Sequence, residues 1–123
     1  MKYRVSSSIA NFSNGLRRKY PSWKEWTWRT RYDPTVFFGM YHIGDVARLI
    51  WHLGDATVFW CGSDIVNMQK SPWLLSSVIA CKAKHVCENE VEQKALKELG
   101  IHAEIKPQLF DSVVANTDYE TAH

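Results

Sequence analysis

The sequence predicts an α/β fold: a three-layer domain with a parallel sheet of four or five strands and helices on both faces. Two observations carry this. From Asp33 onward short apolar runs alternate with longer segments of helical period, the pattern of strands joined by crossover helices. The runs "TVFF" (35–38) and "ATVFWC" (56–61) are apolar at consecutive positions, as in strands buried on both faces. With 123 residues the chain can build one core and is too short for two.

Each element has its own signal. "YRV" opens a strand, and "SSSIANFSNGLRRKY" sets Ile9, Phe12 and Leu16 at i, i+3, i+7, a helical spacing despite Gly15. "TVFFGMY" (35–41) is a strand. "GDVARLIWHLG" then puts Val46, Leu49, Ile50 and Leu53 on one helical face, with Asp45 near the N-cap and Gly54 just past the end. "ATVFWCGSDI" is the next strand. "SPWLLSSVIACKA" starts a helix with Ser71 as N-cap and Pro72 at its first position, burying Leu74, Leu75, Val78 and Ile79. "KHVCEN" is a short strand, and "NEVEQKALKELG" a helix with Val91, Ala95, Leu96 and Leu99 inward, acids first and lysines last. "IHAEIKP" closes the sheet at Pro107. The expected organisation is one Rossmann-like (flavodoxin-like) domain over 1–111, its first 34 residues basic and Trp-rich and 35–111 a right-handed βαβ array. A polar, irregular tail is expected over 112–123.

Composition narrows the class. Apolar residues are 46% and charged residues 23%, as in folded soluble domains. No run approaches a membrane span and the first residues lack a secretory block, so a cytoplasmic location is expected. Cys61, Cys81 and Cys87 form no CxxC pair and read as small core residues; the five histidines show no ligand spacing, so neither a metal nor a cofactor is implied. Charge is uneven: residues 1–31 carry net +7 and the remainder net −5. Arg17, Arg18, Lys19, Lys24, Arg29 and Arg31, interleaved with Trp23, Trp26 and Trp28, fit an anionic surface such as nucleic acid or lipid headgroups, with membrane association as one form of it. The competing reading is that the tryptophans pack a loop onto the core.

In open parallel sheets ligands bind outside the carboxyl ends of the strands. Three groups of residues fall there: Gly39, Tyr41, His42 and Gly44; Gly62, Ser63 and Asp64; and Glu88, Asn89 and Glu90. Glycine allows close backbone approach, serine donates, and a carboxylate accepts from hydroxyls or caps a helix. His42 and Asp64 are the candidate catalytic groups. No GxGxxG, GxxxxGK[ST] or GxSxG occurs, which argues against a dinucleotide fold signature, a P-loop and a serine nucleophile elbow.

"FFGMYHIGDVARLIWHLGDATVFWCGSDIV" followed by "KHVCENEVEQKALKELGIHAEIKPQLFD" resembles the N-terminal Rossmann-like domain of GT-B glycosyltransferases. The likeness covers roughly residues 35–111: a strand ending in the Gly62-Ser63-Asp64 turn, a short strand leading into His85 to Glu90, a helix ending at Leu96 to Gly100, and a strand closing over Ile105 to Pro107. It implies an acceptor-side half that binds a glycan or other hydroxyl acceptor, with nucleotide sugar held only when a second domain is added. That domain would begin about where this sequence ends, and the Gly-rich loop of such enzymes is not present in "YRVSSSIANFSNG". Two other functions stay open: a non-catalytic flavodoxin-like binding module, as a homo-oligomer or with a partner protein, and a nucleic-acid or anionic-surface binder acting through residues 2–31.

Overall fold

The structure, a computed structural model, describes residues 1–106. Six strands form one sheet: β1 (Lys2–Val5), β2 (Lys24–Glu25), β3 (Thr35–Phe38), β4 (Ala56–Phe59), β5 (Lys84–Cys87) and β6 (Ala103–Ile105), in the order β2-β1-β3-β4-β5-β6. Every neighbouring pair is parallel. The Rossmann-like α/β class predicted from sequence is therefore the fold, with six strands where four or five were expected. The added strand is β2, whose two residues are both exposed and carry no strand pattern. It pairs because the Lys24 and Trp26 amides reach the carbonyls of Met1 and Tyr3, at 3.2 and 2.7 Å.

Helix α1 (Phe12–Lys19) covers one face of the sheet, and α2 (Ile43–Trp51), α3 (Ser63–Gln69), α4 (Pro72–Ala80) and α5 (Glu90–Glu98) cover the other. Alternate residues of each central strand therefore enter different cores. Val36, Phe38, Phe59 and Val86 join Tyr3 and Leu16 on the α1 side; Phe37, Val58, Trp60 and Cys87 join Val46, Leu49, Ile65, Met68, Val78 and Leu96 on the other. This double burial is why the strand sequences are apolar at every position. The short α3 has no counterpart among the elements expected from the sequence. It buries Ile65 and Met68 over two turns and ends at Lys70, just before Ser71 starts α4.

The expected helix faces are narrower than the apolar spacing suggested. Ile50, Leu53, Ile79 and Val91 are exposed. α2 stops at Trp51, so Leu53 lies beyond it, and α2 turns only Val46 and Leu49 among its apolar side chains fully inward. At α5, Asn89 caps the helix through a 2.9 Å bond from the Glu92 amide, and the first turn presents Val91 to solvent. The side chain of Phe12, Pro107, the domain limit at 111 and the 112–123 tail lie outside the described residues.

The chain crosses from β2 to β3 without an α-helix, and tryptophans fill the space. Trp26 is buried in the larger core, its indole N–H donating to His52 Nδ1 at 3.0 Å, while His52 Nε2 lies 3.1 Å from the Asp55 carbonyl. These two bonds fix the Nε2–H tautomer of His52, and burial lowers its pKa. Trp23 stacks on Tyr20 at 4.0 Å, and half-exposed Trp28 meets Trp51 edge-on at 5.7 Å.

Candidate functional site

Because all strands are parallel, the carboxyl ends of β1, β3, β4 and β5 open on one edge, and two carboxylates tie them together. Asp45 lies in the first turn of α2 and is almost fully buried. It accepts from Ser6 Oγ at 2.7 Å and from the Tyr41 and His42 amides at 2.9 Å each, and it forms an ion pair with Arg4. Burial disfavours its charge, but the bonds from Ser6, Arg4 and the His42 amide more than offset this, and its pKa lies below the usual carboxylate value. Asp45 thus clamps the end of β1 to the end of β3.

Asp64 does the same between β3 and β4. Its Oδ2 accepts from the Met40 amide at 3.0 Å, and its Oδ1 accepts from the Cys61 and Gly62 amides at 3.0 Å each. It has no exposed surface, and burial raises its pKa to about 6 in spite of those amide bonds. Its place in this structure is beneath the turn, shaping it, rather than on the cleft surface.

The side chains on the rim are Tyr41, His42 and Ser63. Tyr41 Oη and Ser63 Oγ share a hydrogen bond of 2.8 Å, and burial pushes the Tyr41 pKa up to about 12, so it remains a phenol at neutral pH. His42 is exposed and its Nε2 hydrogen-bonds Ser8 Oγ, bridging the β1 and β3 ends. Gly39 and Gly62 have φ of 89° and 109°, a region that side-chain-bearing residues avoid, so both turns depend on glycine. Of the third group, Asn89 caps α5, Glu90 is exposed, and the Glu88 charge acts on Glu92.

The structure brings Tyr41 to Ser63 and Met40 to Asp64, so the first two predicted groups form one surface. It also places there Arg4, Ser6, Ser8, Asp45 and Glu92, which no motif in the sequence marks as site residues. The serines of "YRVSSS" stand at the carboxyl end of β1, and that position was the available signal. Beside Arg4, a hollow of about 340 Å³ is lined by Tyr3, Ser13, Glu25, Trp26 and Arg48, along the part of β1 that two-residue β2 leaves uncovered. The basic residues singled out in the N-terminal stretch lie away from the Tyr41–Ser63 rim. Arg17, Arg18 and Lys19 form the last turn of α1, which runs back toward the amino ends of the strands, and Arg17 pairs with Glu25 at 3.2 Å. Arg31 lies 4.1 Å over the Trp51 ring, and Arg48 lies 5.3 Å over Trp28.

No protein-family model, curated protein or solved structure matches the chain. Among the described residues no helix is long and apolar enough to cross a membrane, and no group of three or more His, Cys, Asp or Glu is placed to hold a metal ion.

Proposed function

We propose that this domain is the acceptor-side half of a GT-B-type glycosyltransferase, holding a hydroxyl-bearing acceptor at the carboxyl ends of β3, β4 and β5. The observation that carries this is the fusion of the Gly39–His42 and Gly62–Asp64 turns into one surface through Asp64 and the Tyr41–Ser63 bond. Such a surface offers two hydroxyls, the open backbone of the Gly62 turn and an exposed imidazole, which together suit a neutral polyol better than an anion. His42 is the rim group able to accept a proton from an acceptor hydroxyl, and Ser63 and Tyr41 orient that hydroxyl. A nucleotide sugar would be gripped mainly by a second domain, since transfer requires both substrates to be positioned together.

Titration of the labelled protein with methyl glycosides and with nucleotide sugars, followed by amide shifts, tests the proposal. Shifts at Tyr41, Gly62 and Ser63 with a glycoside are the expected result. Tight nucleotide-sugar binding by this chain alone, or no glycoside response at these amides, overturns it. Contact with an anionic surface is a second reading, favoured by Arg31 and Arg48 stacked on half-exposed indoles. Loss of binding with added salt and in Arg31→Ala checks it.

A further inference from the structure

Glu92 stands out among the ionisable groups because both of its carboxylate oxygens are shut off from solvent and neither has a hydrogen-bond partner. An isolated buried charge is costly, whereas a protonated carboxyl in the same place costs far less. The side chain lies in the first turn of α5, held there by the bond from its own amide to Asn89. It faces the Gly62 turn: a Cβ placed on Gly62 would lie 3.9 to 4.0 Å from the Glu92 carboxyl atoms. The carboxylates around it oppose a negative charge, and the Glu88 backbone offsets them only in part. Asp64 on α3 and Glu88 on the β5–α5 connection both oppose ionisation, and the neighbouring Cys61 and Cys87 thiols are themselves driven toward the neutral form, chiefly by burial.

We propose that Glu92 is a positioning residue for the candidate cleft, holding the Gly62–Ser63 turn closed against α5 while its carboxyl is protonated and releasing it on ionisation. The cleft's importance rests on the function proposed above; the switch itself does not. Ionised Glu92 has two ways to gain stabilisation: admit water to its carboxylate or move away from Asp64 and Glu88. Either separates α5 from the β4–α3 turn, loosening the Cys61 and Gly62 amides that Asp64 holds. Burial, followed by the Glu88 and Asp64 charges, raises the Glu92 pKa to about 7, so the release falls near neutral pH.

The test needs no ligand. The Glu92 carboxyl carbon and the Gly62 and Ser63 amides are followed by NMR from pH 5 to 9, in the native protein and in Glu92→Gln. The Glu92 carbon and both amides should titrate together near pH 7, and Gly62 amide protection against exchange should fall by about tenfold across that step, the factor equivalent to one pKa unit. In Glu92→Gln the step near 7 should vanish, leaving only the lower transition of Asp64. Titration of Glu92 below pH 5.5, amides that do not follow it, or an unchanged step in Glu92→Gln overturns the proposal. Failure to bind glycosides would defeat the transferase reading and leave these titrations unaffected. Should Glu92→Gln fold poorly, co-titration in the native protein still decides the matter.

Discussion

Replacing Asp45 with Asn keeps the side chain's shape and removes its charge. In the native protein that carboxylate accepts from Ser6, from two backbone amides and from Arg4, with only 1% of its side-chain surface exposed against 16% for Arg4. An asparagine supplies one acceptor oxygen, turns an N–H toward donors and leaves Arg4 without its anion. Breaking a fully buried pair costs about 3–5 kcal/mol; because Arg4 retains some solvent, about 2–4 kcal/mol is expected here. For a domain of this size, that lowers the thermal midpoint by about 8–16 °C. Guanidinium and thermal unfolding followed by circular dichroism at pH 7 measure it. The pH dependence adds a sharper check. The Asp45 pKa is depressed in the fold, so its stabilisation is present above the ordinary carboxylate value and is lost as pH falls through the lower folded value. The difference between native protein and Asp45→Asn should therefore shrink toward pH 3. A loss below about 1 kcal/mol at pH 7, the size of one ordinary hydrogen bond, would refute the clamp, as would a gap that is the same at pH 3.

Other substitutions separate strain from clash and packing from charge. Gly62→Ala meets no close neighbour but must adopt φ 109°, and should cost about 1–3 kcal/mol by chemical denaturation. Gly54→Ala places its Cβ 2.2 Å from the Tyr32 carbonyl oxygen, a backbone contact that cannot yield cheaply, so it should be the worse of the two on the same assay. Trp26→Phe deletes the bond to His52 and leaves a void, for an expected loss of about 2–4 kcal/mol in unfolding measurements. Glu92→Gln should raise stability at pH 8 by about 1–2 kcal/mol and leave it little changed at pH 5, because the raised pKa means ionisation penalises the fold from about pH 4.5 upward; a pH series of melts checks both the sign and the window.

The strands and most helices were legible because they are governed by burial, and burial leaves a periodic trace. "TVFF" and "ATVFWC" revealed a doubly covered sheet, and the positions of Gly62, Ser63 and Asp64 at a strand end followed from that. β2 left no such trace: it is held by backbone bonds from the Lys24 and Trp26 amides, and both of its side chains are exposed, with Glu25 paired to Arg17. The tryptophans could be read as surface or as core, and the protein uses them as both, since Trp26 replaces a crossover helix while Trp28 stays half exposed. At the site, glycine and serine at strand ends were visible, but the partners of buried carboxylates were not. Arg4 and Ser6 reach Asp45 across 41 and 39 residues, and no local pattern encodes a bond of that span. Glu92 appeared only as one acid in a dipole-matched first turn, because in sequence it cannot be distinguished from Glu90, which is exposed.

The two clamp carboxylates sit at equivalent places in successive βα units, yet their protonation equilibria run in opposite directions. The difference is one cation and one hydroxyl. Asp45 has Arg4 and Ser6 in addition to backbone amides, and its charge is favoured; Asp64 has backbone amides alone, and burial prevails. The consequence divides the candidate cleft in two. Its β1–β3 half is locked by an ion pair that persists across the neutral range. Its β3–β4–β5 half depends on Asp64, which titrates near 6, and on Glu92, which titrates near 7, so the native state there holds protons that an unfolded chain would already have released. A surface built this way presents Tyr41 and His42 from a fixed wall and Gly62 and Ser63 from an adjustable one. A ligand bridging the two must select the closed form of the second wall, and its affinity should therefore decline as pH rises from 6 to 8, even when the ligand itself carries no charge.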